Sequence, residues 1–364
     1  MPRSAVPPRD APSDFDMHTL RNPVGFLALV VLAALGWRLA AQSPTAPTRT
    51  REERIRAMES VMGPFPKVRR PLDVQVISET RKDGLVLRDL TYLSQPGVRV
   101  PAYLIYSESA ATDGQRHPGI LGLHQTHAAG RKVVVGLGNS PDDEYGVELA
   151  RRGYVVLAPA YPQLADYAPD IRGAGFQSGT MMAIWNNSRG LDLLQSLPCV
   201  GTNGFGSIGH SLGGHNGLFT AAFDERIRVV VTSCGFDSFR DYYDGNPSVW
   251  AEERGWCQLR YMPGLLAYRG RLQDLPFEFT DVLGAIAPRT VFVNAPKGDS
   301  NFRWKSVDRV VESVRPLWPK PAQQPPPEVV HPDCPHRFPP EQRQQAYALL
   351  DRVLRGAGSD DKGR

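Results

Sequence analysis

Cysteine is scarce in this chain, with four residues (Cys199, Cys234, Cys257, Cys334) among 364. That is too few for a fold held by disulfides, so the fold must rest on a packed core. No apolar run reaches the roughly 18–20 residues that a membrane-spanning helix needs. No block of Lys or Arg stands out either: 42 basic and 38 acidic side chains are interspersed and leave a net charge of +4. This argues against a nucleic-acid partner. Phosphate loops, the dinucleotide-binding glycine fingerprint and a cofactor-lysine signature are missing, so no cofactor is expected.

What is present begins with a short apolar stretch at residues 25–35, preceded by Arg21 and followed by Leu39-Ala40-Ala41. About a dozen apolar residues suit the h-region of a signal peptide, with residues 1–41 as the targeting segment. Met17 offers an alternative start. An uncleaved N-terminal anchor is the competing reading, and it is the only membrane contact expected. Export to the periplasm or medium would make the four cysteines candidates for pairing, with buried free thiols as the alternative.

Residues 42–70 read as a linker with a short helix near 52–62. Residues 71–356 read as one α/β catalytic domain, and residues 357–364 as a disordered tail. Within the domain, three early strands (74–77, 85–93, 100–106) are separated by hairpin-type turns and are expected to pair antiparallel. From Gly119 onward, short apolar strands alternate with helices, the pattern of a mostly parallel sheet covered on both faces. Residues 235–285 break that rhythm with many aromatics and read as a small cap over the sheet.

The residues that promise chemistry centre on Ile208-Gly209-His210-Ser211-Leu212-Gly213-Gly214. By composition alone, G-x-S-x-G turns up in roughly one chain in five of this length. Its setting carries more weight. An apolar strand leads in, a helix-forming run follows, and the serine stands at the apex of a sharp turn where its Oγ is pushed out of the sheet. A serine needs a base to take its proton, and the base needs an orienting acid. Asp299 follows the strand ending at Asn294, and His336 follows the last strand, giving the chain order Ser, Asp, His. Asp237 competes for the acid role and His331 for the base. His215 would sit on the helix after the serine, and His210 is expected to point away from the reacting centre. Two further groupings, His331/Cys334/His336 and His124/His127, lack the spacing of a four-ligand zinc site, so no metal is expected. Arg189 and Asp192, three residues apart, read as a packing pair.

These stretches, together with Leu123-His124-Gln125-Thr126, Ala150 to Val156, Arg189 to Pro198 and Ala287-Pro288-Arg289, resemble the α/β-hydrolase superfamily. The likeness is to its dienelactone-hydrolase-like and acetyl-xylan-esterase-like branch. It covers most of residues 75–355 in the right order. The resemblance implies an α/β-hydrolase fold with Ser211 as nucleophile, Asp299 and His336 as its partners, and an oxyanion hole. One donor there would be the Leu212 amide. The other would come from the loop after His124, from Thr126 or alternatively Gln125, where relatives commonly carry glycine. The expected activity is a serine carboxylester hydrolase acting on small-acyl or carbohydrate esters. A peptidase or amidase, or a non-catalytic binding protein on the same scaffold, is the alternative.

Overall fold

The computed structural model describes residues 49–319 and 325–355. The expected signal segment 1–41 and tail 357–364 lie outside the described residues. A nine-stranded sheet runs through the domain in the order β1-β2-β3-β5-β4-β6-β7-β8-β9. Strands β1 (Gln75–Lys82), β2 (Leu85–Gln95) and β3 (Val98–Ser107) form an antiparallel meander, and β3 pairs antiparallel with β5 (Val155–Pro159). From there β4 (His117–Leu123), β6 (Val200–His210), β7 (Ile227–Ser233), β8 (Thr290–Asn294) and β9 (Glu328–Val330) run parallel.

The central strands are continuous apolar runs because both of their faces are covered. On β5, Val155 and Leu157 join one core while Val156 and Ala158 join the other; on β7, Val230 and its neighbours Val229 and Val231 divide the same way. One face carries α1 (Arg51–Met62), α3 (Gly179–Ser196), α4 (Leu212–Phe223), α5 (Phe279–Ile286) and α6 (Trp304–Val314). The other carries α2 (Tyr145–Arg151) and α7 (Pro340–Leu354), through residues such as Tyr145, Leu149, Tyr347 and Leu350.

Two expectations shift. The helix read as part of a linker is built into the domain: Met58 and Met62 of α1 are fully buried, and Arg54 is 1% exposed against Asp281 of α5 at 2.9 Å. Residues 235–285 also divide. The first part is a string of short 3₁₀ turns, whereas Phe279–Ile286 is the regular crossover helix α5 that returns the chain to β8. A capping box, with Glu278 and Asp281 exchanging hydrogen bonds with each other's backbone N–H, starts that helix. The sequence-level pair Arg189 and Asp192 forms a contact, and Asp192 also accepts from Arg226 and Arg69.

Candidate active site

Ser211 sits between β6 and α4 at φ 52°, ψ −121°. Few non-glycine residues adopt positive φ, and here the surroundings enforce it. The Ser211 N–H donates to the Ser233 carbonyl on β7 at 2.7 Å, and its own carbonyl accepts from His215 at 3.0 Å as α4 begins. The flanking glycines are demanded by this tightness. A Cβ on Gly213 would lie 1.9 Å from the Leu123 carbonyl oxygen, and one on Gly209 2.3 Å from the backbone of Gly213.

His336 lies on the loop between β9 and α7, with Nδ1 2.9 Å from both carboxylate oxygens of Asp299. The Asp299 side chain is 1% exposed, and its Oδ1 also accepts from the backbone N–H groups of Asn301 at 2.8 Å and Phe302 at 3.2 Å. Burial pushes this carboxyl up, but the hydrogen bond and charge of His336 and the two backbone donors prevail, so its pKa falls below the usual carboxylate value. Asn294, at the end of β8, donates from Nδ2 to the Ser233 hydroxyl at 2.8 Å and to the Arg337 carbonyl at 2.9 Å, which fastens the His336 loop to the sheet.

The competing acid and base are occupied elsewhere. Asp237 accepts from the Arg303 N–H at 3.2 Å. Its pKa is pushed up to about 8, chiefly by burial, with Asp241, Glu278 and Asp299 adding to the rise. His331 places Nδ1 2.8 Å from the Ala295 carbonyl and Nε2 2.9 Å from Asp308. The cluster His331/Cys334/His336 is therefore not assembled. The donor atoms that do come within 4.8 Å of one another are those of Cys234, Asp299 and His336. Cys234 is buried behind the acid, and burial, with the charge of Asp299, raises its thiol well above the ordinary value. All four cysteines are free.

A cavity of about 640 Å³ opens over these residues, lined by Ser211, His336 and Leu212 together with Gln125 and Thr126. The loop carrying the last two is shaped without the usual glycine. Burial pushes His124 down to about 4, so its ring is neutral; Nδ1 donates to the Gln125 carbonyl at 2.8 Å while Nε2 accepts from the Tyr161 N–H at 3.0 Å. Gln125 in turn donates its side-chain amide to the buried Asp143, and the Thr126 hydroxyl lies 3.3 Å from the Tyr261 hydroxyl. His127 Nδ1 accepts from the Ala129 N–H at 3.0 Å.

Three features were not read from the sequence. His210, expected to point away, lines the cavity instead, its ring 4.8 Å from that of His336 and its Nδ1 3.1 Å from the Ser233 hydroxyl. Arg337, beside His336, reaches Asp142 across the cavity rim at 2.7 Å. The aromatics of residues 235–285 are mostly packing: Phe236, Phe239, Trp250, Phe277 and Phe279 are at most 1% exposed. Those facing the cavity are Tyr242, Tyr243, Trp256 and Tyr261.

The family model for fungal glucuronyl esterases ("Glucuronyl esterase, fungi") matches residues 170–319. That stretch holds Ser211 and Asp299. A protein of Bacillus subtilis (strain 168) described as "Putative hydrolase YtaP" is 26% identical over 195 residues, 50% of this chain. The chain spans 64% of the length of that curated relative. Among solved structures, a glucuronoyl esterase from Solibacter usitatus superposes with a TM-score of 0.67 at 18% identity, covering 85% of this chain and 93% of its own. Acetyl xylan esterase 1 from Thermoanaerobacterium sp. JW/SL YS485 gives 0.54 at 17% identity, covering 85% and 95%. At these identities the shared feature is the fold. The chain is an α/β-hydrolase in fold, similar to the dienelactone-hydrolase-like and acetyl-xylan-esterase-like branch of that superfamily.

Proposed function

We propose that this chain is a serine carboxylester hydrolase that works through an acyl-enzyme on small-acyl or carbohydrate esters. One observation carries the reading: an inverted serine at a strand-to-helix elbow shares a cavity with a histidine whose Nδ1 is held by a dry carboxylate.

In that scheme Ser211 Oγ attacks the ester carbonyl while His336 Nε2 takes its proton, with Nδ1–H donated to Asp299. The Asp299 carboxylate keeps the ring in that tautomer and stabilises the imidazolium as it forms. The oxyanion is held by the Leu212 amide and by an amide of the loop after His124, Thr126 or Gln125, pre-set so that no reorganisation is needed as charge develops. His336 then returns its proton to the leaving alcohol, and water frees the acyl group by the same steps in reverse. Of the aromatics around the cavity, Tyr243 is 44% exposed and suits stacking on a sugar ring, while Trp256 and Tyr261 contribute mainly apolar wall. Among the described residues no helix is long and apolar enough to cross a membrane. Export rests on the signal-like segment at residues 1–41.

Labelling with a fluorophosphonate probe is the direct test. The wild type should label, and Ser211→Ala should lose both labelling and about 10⁴-fold or more of the turnover. A wild-type protein that stays unlabelled overturns the reading. A panel of acetyl, longer acyl, glucuronoyl and amide substrates then places the ester class.

A further inference from the structure

The two ends of the sheet are unlike. At one, β9 is three residues long, which leaves little edge to pair with. At the other, β1 is a full strand of eight residues, every one exposed, and among the described residues nothing pairs with its outer side. Val76 and Ile77 are 54% and 65% exposed there. An edge of this length, with its row of N–H and C=O groups, is a template for another strand.

We propose that β1 pairs antiparallel with β1 of a second copy of this chain, joining two sheets across a two-fold axis. The turn between β1 and β2 sets which groups are free. Asp83 (φ 52°) and Gly84 (φ 74°) form a two-residue hairpin loop of the I′ kind, with Lys82 opposite Leu85. In such a hairpin the flanking pair exchanges both hydrogen bonds, so Lys82, Thr80 and Ser78 spend their backbone groups on β2. Glu79 and Arg81 turn theirs outward.

Of the registers that set Glu79 and Arg81 opposite themselves or each other, one avoids repulsion. Outward residues must face outward residues, which removes every shift by one. Pairing Glu79 with Glu79, or Arg81 with Arg81, sets like charges directly opposite, which destabilises a sheet. The remaining register sets Glu79 against Arg81 of the second copy and Arg81 against its Glu79, with Thr80 facing Thr80 on the axis. Each Glu79–Arg81 pair exchanges its backbone hydrogen bonds and carries opposite charges on one face. Within one copy Glu79 already accepts from Arg81 at 2.8 Å and Arg88 at 2.6 Å, so the carboxylate is held at the edge where the second arginine arrives. The contact is self-complementary and closes on itself, giving a dimer and not a filament. One strand per copy is a small interface, so a concentration-dependent equilibrium is expected.

Sedimentation equilibrium of the full chain over a dilution series tests this. The wild type should move from monomer to dimer as concentration rises. Glu79→Arg should weaken association about tenfold or more, since both charge pairs become repulsive. Arg81→Glu should do the same, and the double swap E79R/R81E should restore it. Thermal midpoints of each variant, read in parallel, report whether the hairpin survives the loss of the Glu79–Arg88 contact. A wild type that stays monomeric at the highest attainable concentration overturns the proposal. So does a dimer indifferent to the single reversals, or one that the double swap fails to rescue.

Discussion

Both oxygens of the Asp299 carboxylate lie 2.9 Å from Nδ1 of His336, while Asp237, the other acid in reach by chain order, bonds the Arg303 backbone instead. The two acids also differ in charge. Asp299 is held ionised by its donors, whereas burial pushes Asp237 up to about 8, which favours its neutral form at pH 7 and leaves little charge with which to stabilise an imidazolium.

That contrast gives the first prediction. Asp299→Asn should lower kcat by about 10⁴-fold, because the amide offers the imidazole the wrong partner and the ring adopts the wrong tautomer. Asp237→Asn replaces a neutral carboxyl with a near-isostere and should leave kcat within a few-fold. Steady-state kinetics on a chromogenic ester decides, and equal losses in the two variants would contradict the assignment of the acid.

Much of this site was legible in the sequence because it depends on local chain geometry and order. G-x-S-x-G between an apolar strand and a helix located Ser211, and the ends of the last two long-range strands located Asp299 and His336. What was not legible depended on contacts distant in sequence. Whether the aromatics of residues 235–285 faced a substrate or each other is settled by Phe219 and His215 of α4, around which Phe277, Phe279 and Trp256 pack. The position of His210 beside the His336 ring depends on the Ser233 hydroxyl it meets, 23 residues later. Likewise α1 looked like a linker helix because its polar residues dominate; its membership of the core rests on Met58, Val61 and Met62 being covered by distant elements and on Arg54 meeting Asp281, 227 residues later.

The Arg54–Asp281 contact supports the second prediction. Arg54 is 1% exposed and burial lowers its pKa, with Asp281 as the main opposing influence. Losing the carboxylate of a buried ion pair is strongly destabilising, at a cost of about 3–5 kcal/mol. Asp281→Ala also removes half of the capping box that starts α5. Urea denaturation should show a loss in that range or above, with the ester kinetics of the folded fraction little changed.

The elbow glycines make the third prediction. Gly213→Ala would drive a methyl into the backbone of Leu123, which cannot move without displacing β4 and the loop that carries Gln125 and Thr126. Both stability and turnover should fall. Gly217, one turn further along α4, would place its Cβ 3.3 Å from the Ser207 hydroxyl, a contact that a small side-chain shift relieves. Gly217→Ala should therefore be near neutral or stabilising, since alanine is favoured over glycine in a helix by about 1 kcal/mol. Comparable damage from both substitutions would show that the elbow tolerates less, or α4 more rigidity, than the contacts imply.

Acid should unfold this protein through its buried histidines. His215 stacks on Trp256 with ring centroids 4.3 Å apart, and burial pushes its pKa down to about 3; His210 is likewise pushed to about 3, by burial and the nearby His336, and His124 to about 4. In the unfolded chain each titrates near pH 6.5. Between that value and the folded pKa the unfolded state binds the extra proton, so stability declines as pH falls, by about 1.4 kcal/mol per pH unit for each histidine. His215→Phe keeps the ring in its aromatic stack and removes one of the three titrations. Its melting temperature should fall less steeply than the wild type's between pH 6.5 and pH 4, when the two are compared by calorimetry at matched ionic strength. Parallel curves for the two proteins would mean that His215 takes up its proton without unfolding the helix after Ser211.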